Sequence, residues 1–291
     1  MSNLTSVPYA KPKLVSEALA LIANEKACVL AGGTDLVVMR AQSVVSADSL
    51  VDIKGIEALT DVNVGGRGIS IGACTSLDTL SYHKGLGLNA ISDGASVVGG
   101  WQTRCRATIG GNICRASPAA DTLCGLLVLG CELEVASLGG ERSISADAFF
   151  KGPGRTAMRP GELLTRIVIP FDGGGSAYRR FTYRNSMDLS VAGVAIFLQL
   201  NGDRCTHARV AVGACGPTPL LVPEAASELI GSTVDSGAVA AAAAAVVAAA
   251  RPIDDVRGSR KHRLHVLRPL VVSVAAEALS RARQWNKDSS S

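Results

Sequence analysis

Apolar positions change their rhythm twice along the chain. Near the start, Leu19, Ala20, Leu21 and Ile22 mark a short amphipathic helix over residues 16–24. A strand-length apolar run over 27–31 follows, and then a second, Leu50-Val51-Asp52-Ile53, closed by the turn Lys54-Gly55. This order predicts a βαβ-like unit over residues 1–55. From Ile56 onward the runs shorten. Ile69-Ser70-Ile71 reads as a strand, and Thr75 or Ser76 is placed to cap the helix behind it. A longer helix is predicted over 88–98. Asp121 opens an apolar helix through Leu129, and strands over 133–136 and 163–169 close the region.

The clearest linker is Pro170-Phe171-Asp172-Gly173-Gly174-Gly175-Ser176, where proline ends a strand and three glycines follow. Beyond it the spacing predicts three antiparallel strands over 177–183, 191–200 and 205–212, with Asn201-Gly202-Asp203 as a hairpin turn. Helices are expected over 224–230, 236–250 and 259–283, and a polar, disordered tail over 284–291. Strands first and helices afterwards give an α+β domain, a three-stranded antiparallel sheet plus helices. The expected division is 1–172 and 173–291.

Composition removes several function classes. The chain has 291 residues, enough for a core without disulfides. Its longest nearly pure apolar tract, 238–250, is mostly alanine and shorter than the roughly 18 residues a membrane span needs. Residues 1–13 carry no secretory pattern. The net charge of +4 gathers near Arg257 and Arg268, but only 4% of residues are aromatic, so no nucleic acid is expected as a partner. The eight cysteines show no C-x-x-C spacing and read as free thiols of a cytoplasmic protein. The competing reading is an iron–sulfur site from Cys105, Cys114, Cys124 and Cys131. No H-E-x-x-H or G-x-S-x-G occurs, and His262 and His265, three apart on a basic helix, read as a solvated face. With no catalytic residue and no metal site in view, a cofactor must supply the reactivity.

Two turns fit such a cofactor. Ala31-Gly32-Gly33-Thr34-Asp35-Leu36, which continues an apolar run, and Arg106-Ala107-Thr108-Ile109-Gly110-Gly111-Asn112 both pair adjacent glycines with short polar side chains. Glycine pairs allow positive φ and bring bare N–H groups up to an anion. The pair reads either as a two-sided clamp for a dinucleotide pyrophosphate or as two unrelated structural turns. G-x-G-x-x-G is absent, so this is not a Rossmann motif.

These loops resemble the FAD-pyrophosphate loops of the flavoprotein (medium) subunits of molybdenum hydroxylases, a family that includes the carbon monoxide dehydrogenase medium subunit and the FAD domain of xanthine dehydrogenase. The likeness continues in order through Ala116-Ser117-Pro118-Ala119-Ala120-Asp121, Phe149-Phe150-Lys151-Gly152-Pro153-Gly154, Met187-Asp188-Leu189-Ser190-Val191-Ala192, Gly213-Ala214-Cys215-Gly216-Pro217 and Pro252-Ile253-Asp254-Asp255-Val256-Arg257-Gly258-Ser259. It implies a PCMH-type two-lobed FAD-binding domain, with lobes at about 1–55 and 56–172, followed by a smaller α+β domain.

The resemblance also implies a site. Ala31, Gly32, Gly33 and Thr34 would hold one phosphate, with Asp35 bracing their loop. Thr108, Gly110, Gly111 and Asn112 would complete the phosphate cage. Asp121 falls where the family places a carboxylate on the FAD ribose, and it doubles as a helix N-cap candidate. Cys114 and Leu164 fall at positions near the cofactor. Arg180 stands where many relatives have lysine, and its charge would raise the flavin potential. Thr34 and Asp35 replace the histidine that links flavin covalently in some oxidases, so the FAD is expected to be non-covalent. Relatives with an extra iron–sulfur cluster carry it on an insertion after the second loop, which this chain lacks. The implied partners are a small [2Fe–2S] subunit and a large molybdopterin subunit, in a dimer of heterotrimers. The alternative is a stand-alone FAD-dependent oxidoreductase of the same superfold.

Overall fold

The computed structural model describes residues 7–23, 26–65, 68–83, 89–170 and 173–289. Asn24, Leu88, Phe171 and Asp172, which belong to predicted elements, lie outside this range, as do residues 1–6 of the N-terminal segment.

The first unit contains β1 (Tyr9–Ala10), α1 (Val15–Ile22), β2 (Ala27–Leu30), α2 (Leu36–Ala41) and β3 (Ser49–Asp52). Its sheet runs β1-β3-β2, all parallel, with Cys28 opposite Leu50 and Val29 opposite Val51. Two parallel strands need a crossover, and α2 lies within it. Helix α1 turns Ala18, Leu19 and Ile22 inward, and the Glu17 carboxylate accepts the Lys13 and Leu14 N–H groups at its start. The same core takes in Leu163 from the second unit, which ties the two together.

The second unit is built on β4 (Val62–Gly65), β5 (Gly68–Gly72), β6 (Glu132–Ser137), β7 (Gly140–Ser145) and β10 (Leu163–Ile169), a sheet of order β4-β5-β10-β6-β7. Its pairings are antiparallel. Its helices are α3 (Leu77–Tyr82), α4 (Ala90–Val97), α5 (Trp101–Arg106), α6 (Ile109–Arg115), α7 (Leu123–Val128) and the single-turn α8 (Ala146–Phe149). A small hairpin, β8 (Phe150–Gly152) with β9 (Arg155–Thr156), completes it. Ser76 caps α3, its hydroxyl accepting from the Thr79 N–H at 3.0 Å. The cap of α7 is Thr122 rather than Asp121, and the Asp121 side chain caps nothing. Its carboxylate is drawn instead to partners on another strand.

The third unit holds β11 (Gly175–Phe181), β12 (Ala192–Asn201), β13 (Arg204–Gly213) and β14 (Leu220–Leu221), with α9 (Pro223–Leu229), α10 (Ser236–Ala249) and α11 (Arg260–Ser289). The sheet has four antiparallel strands rather than three. The added β14 is two residues long, too short to carry a periodicity. Along β12 the buried side chains alternate between two cores. Val194, Ile196 and Leu198 face the unit's own helices, while Ala195 and Phe197 join the core of the second unit. A strand covered on both faces reads as one continuous apolar run.

Residues 284–289 of the predicted disordered tail are helical instead, since α11 runs to Ser289, and Ser290 and Ser291 lie outside the described residues. Tertiary contacts hold this polar segment. Trp285 lies against Gly173, Asn286 donates to the Leu200 carbonyl at 3.2 Å, and Arg281 grips Asp93 of α4 at 2.7 and 3.1 Å. Arg281 also donates to the Ser176 carbonyl at 2.7 Å. Both charged side chains are largely removed from water, so Arg281→Met leaves the Asp93 carboxylate with the Tyr178 N–H but without its counter-charge. The expected loss is about 2–3 kcal/mol in a denaturant titration. A loss below about 0.5 kcal/mol, as for ordinary surface sites, would show that the contact does not tie the units together.

Candidate functional site

The first glycine loop leaves β2 and feeds α2. Gly33 has φ of +78°, a left-handed conformation that curls successive N–H groups to one side. Among the described residues, the N–H groups of Gly32, Gly33, Thr34 and Asp35 have no acceptor. Gly32, Gly33 and Thr34 are half-buried and Asp35 is exposed, so these donors are open to an anion. A row of them on a curled loop makes an anion nest.

The second loop is arranged differently. In the first turn of α6 the Ile109 N–H donates to the Thr75 carbonyl at 3.0 Å and that of Gly110 to the Ala73 carbonyl at 2.8 Å. Those of Gly111 and Asn112 go to the Thr108 hydroxyl and carbonyl, at 3.1 and 3.0 Å. These donors are already spent. The Thr108 side chain is a helix cap, and Gly110 lets α6 sit against β5 and its turn, where a Cβ would stand 2.6 Å from the Ala73 oxygen. The Asn112 amide oxygen accepts the Thr122 hydroxyl at 2.7 Å.

The two loops touch backbone to backbone. A Cβ on Gly32 would lie 2.1 Å from the Arg106 carbonyl oxygen and 2.9 Å from the Ala107 Cα. Asp35 reaches Arg115 of α6 at 3.6 Å, bracing the nest against the second loop's helix. Both groups are well exposed, so this pair orients more than it stabilises. The nest is therefore the donor side, and the second loop is the wall it leans on.

Behind the second loop lies a buried charge cluster. Asp121 accepts the Tyr178 hydroxyl on one carboxylate oxygen at 2.8 Å and the Arg180 guanidinium on the other at 2.7 Å. The Asp121 and Arg180 side chains are each only 6% exposed. Burial pushes the Asp121 carboxyl up to about 6, against the opposing pull of Arg180 and Tyr178. Gly94 allows the cluster to sit so close, because a Cβ there would meet the Asp121 carbonyl oxygen at 2.4 Å. Tyr178 escaped the sequence reading. The signal was present, since residues 178 and 180 share one face of β11.

Cys114 is reached by solvent, yet surrounding protein pushes its thiol up to about 12, and its sulfur lies 3.7 Å from that of Met158. A thiol so disfavoured as thiolate is a packing group rather than a nucleophile. Leu164 is buried in β10, the strand against which α6 packs. The described cysteines are all free thiols.

Comparison with known proteins gives consistent matches along the chain. The family model described as the FAD binding domain in molybdopterin dehydrogenase matches residues 3–172, and that of the CO dehydrogenase flavoprotein C-terminal domain matches 176–278. The sequence is 33% identical to the 6-hydroxypseudooxynicotine dehydrogenase complex subunit alpha of Paenarthrobacter nicotinovorans, covering 96% of each chain. It is 31% identical to the carbon monoxide dehydrogenase medium chain of Afipia carboxidovorans, covering 96% of this chain and 98% of that one. The fold superposes on a chain of a crystal structure of Cu,Mo-CO dehydrogenase with a TM-score of 0.91 at 30% identity, covering 96% and 99% of the two chains.

Proposed function

The chain belongs to the family of FAD-binding medium subunits of molybdenum hydroxylases, and on that premise we propose that it passes electrons from the [2Fe–2S] clusters of a small partner subunit through FAD to an external acceptor. It is an oxidoreductase subunit, and a large partner carrying molybdopterin oxidises the substrate. Cytoplasmic location and a dimer of heterotrimers complete the reading. No described helix is long and apolar enough to cross a membrane.

The observation that carries the reading is the row of unpartnered N–H groups from Gly32 to Asp35, laid directly against the second glycine loop. Such a nest suits a pyrophosphate, and its donors need no reorganisation to meet one. In this reading Ala31, Gly32, Gly33 and Thr34 hold the pyrophosphate, and Asp35 braces them. Thr108, Gly110, Gly111 and Asn112 shape the opposing wall. Cys114 and Leu164 contribute packing beside the cofactor. Asp121 fixes Arg180, whose cation favours added electron density on a nearby flavin. FAD, when bound, supplies the ability to take up and release electrons. We place the boundary between the FAD-binding part and the C-terminal part at residues 172/173.

The purified chain should be yellow, with acid or heat releasing free FAD. Flavin absorbance that stays with the precipitated protein would overturn non-covalent binding. Affinity purification from the native cell, with mass spectrometry and metal analysis, should recover the two partners with iron and molybdenum. The isolated chain should oxidise no carbon substrate, and adding both partners should restore substrate-dependent flavin reduction. If the chain alone, free of iron and molybdenum, turned over a metabolite at an ordinary enzymatic rate of about 1–10³ s⁻¹, the stand-alone oxidoreductase reading would win.

A further inference from the structure

The start of α11 breaks two local rules at once. Arg260, Lys261, His262, Arg263, His265 and Arg268 crowd its first turns, and no acidic residue stands in the first turn to balance them. Cations near a helix N-terminus oppose the macrodipole, and like charges at i,i+4 repel. The charge of Arg263 is answered by Asp255 at 2.7 Å. Among the described residues, the side chains of Lys261, His265 and Arg268 have no hydrogen-bond or ion-pair partner. Asp254 and Asp255 answer only part of this charge, and exposed cations left unpaired within the chain are open to an outside anion.

These side chains also border an open surface groove. Lys261, His262, His265 and Arg268, with Ser259, line this groove of about 480 Å³, whose apolar lining comes from Val247 and Leu264. The His262 ring is fixed there, stacked on Tyr183 and edge-on to Phe181. Its Nε2 is shut off from water without a hydrogen-bond partner. Three of the four backbone N–H groups of the first turn are already used. Those of Arg260 and His262 donate to Asp254 and Ser259 side chains at 2.7 and 3.2 Å, and that of Arg263 donates to the Ser259 carbonyl at 3.0 Å. The attraction for an anion therefore comes from the side chains. None of the lining residues belongs to the glycine loops or to the Asp121 cluster.

We propose that this groove binds a small diphosphate ester, with Lys261, His265 and Arg268 meeting its phosphates and Val247 and Leu264 the body of the ester. Lysine and arginine provide the charge-assisted contacts that phosphate oxygens take. Lys261 and Arg268 are seven residues apart, about 10 Å along the helix. Two linked phosphates suit that spread better than one, because each cation can then meet its own phosphate without the like charges folding together.

The test uses FAD-loaded protein at fixed ionic strength, so that the glycine loops are occupied. Inorganic pyrophosphate and ADP should raise the thermal midpoint by a few degrees at about 100-fold excess over the dissociation constant, and inorganic phosphate by less. The double variant Lys261→Glu/Arg268→Glu changes two exposed side chains. It should keep its flavin and its midpoint without ligand, while binding pyrophosphate at least tenfold more weakly by calorimetry. Equal affinity in the variant would overturn the proposal, as would shifts that follow ionic strength alone. Binding of polyglutamate without binding of pyrophosphate would overturn it too, and would make this face a docking surface for an acidic protein.

Discussion

Gly32→Ala should abolish flavin retention, while Gly65→Ala should leave the protein as yellow as the wild type. The added methyl carbon at position 32 would stand 2.1 Å from the Arg106 oxygen, 2.8 Å from the Arg106 carbonyl carbon and 2.9 Å from the Ala107 Cα. All three obstacles are backbone, so no side-chain rotation relieves the clash. The two loops must part by about 1 Å or more to reach ordinary van der Waals separation. Overpacking of this kind costs about 1–3 kcal/mol in stability. Because the nest and its wall move apart, FAD affinity should fall by about 100-fold or more, near 3 kcal/mol. Gly65 has nothing within 4 Å of its would-be Cβ. Gly111 is intermediate, since a Cβ there meets only the Thr108 hydroxyl at 2.9 Å and disturbs a helix cap. Flavin absorbance per protein after gel filtration, with a denaturant midpoint for each variant, decides the matter. Full flavin content in Gly32→Ala would remove the contact between the loops from the binding site.

The second large effect concerns Asp121, and its sign runs against intuition. Burial raises its carboxyl from 3.8 to about 6 although Arg180 and Tyr178 both pull the other way. A value higher in the folded than in the unfolded chain means that the folded chain holds this proton more tightly. The linked stabilisation is complete below about pH 4 and is lost as pH rises through 6. Two units of separation amount to about 3 kcal/mol. At pH 7 the ionised Asp121 therefore weakens the fold relative to a neutral side chain of the same shape, as buried ion pairs can. Asp121→Asn removes this penalty but leaves the buried Arg180 cation without its counter-charge, so the two effects oppose and the variant should stay within about 1 kcal/mol of the wild type at pH 7. The same variant should bind FAD at least tenfold more weakly, about 1.4 kcal/mol, because Arg180 loses the carboxylate that aims it. Stability kept at the expense of function is the mark of a functional charge. Denaturant titrations of the apoprotein from pH 4 to 8, beside a flavin titration, test both halves. A loss of several kcal/mol at pH 7 would instead make the pair structural.

Some of this was written in the chain itself. The apolar run of β2 into Gly32-Gly33 and the parallel pairing of β2 with β3 follow from short-range pattern, because a buried strand and a glycine turn are local events. Strand β10 appears at 163–169 as expected, and the alternation of Asn89, Ser76 and Asp235 with their helices shows capping that adjacent residues decide. The collinear motifs from residue 31 to residue 259 pointed to the family before any coordinate. What pattern could not supply were relations between segments far apart in sequence. The spent donors of the second loop depend on Ala73 and Thr75, more than thirty residues upstream of their partners. The partnership of Asp121 with Tyr178 and Arg180 joins a helix start to a strand in another unit, and it leaves α7 without a side-chain cap. The tail from Gln284 is polar enough to read as disordered, and it is helical because Gly173, Leu200 and Asp93 receive α11. Hydrophobic rhythm and turn chemistry act within a few residues, so the sequence alone determined the elements and the family. Hydrogen-bond satisfaction and close backbone approach are settled only by whatever the fold brings alongside, so the tertiary structure decided which glycine loop keeps free donors and which carboxylate holds the buried arginine.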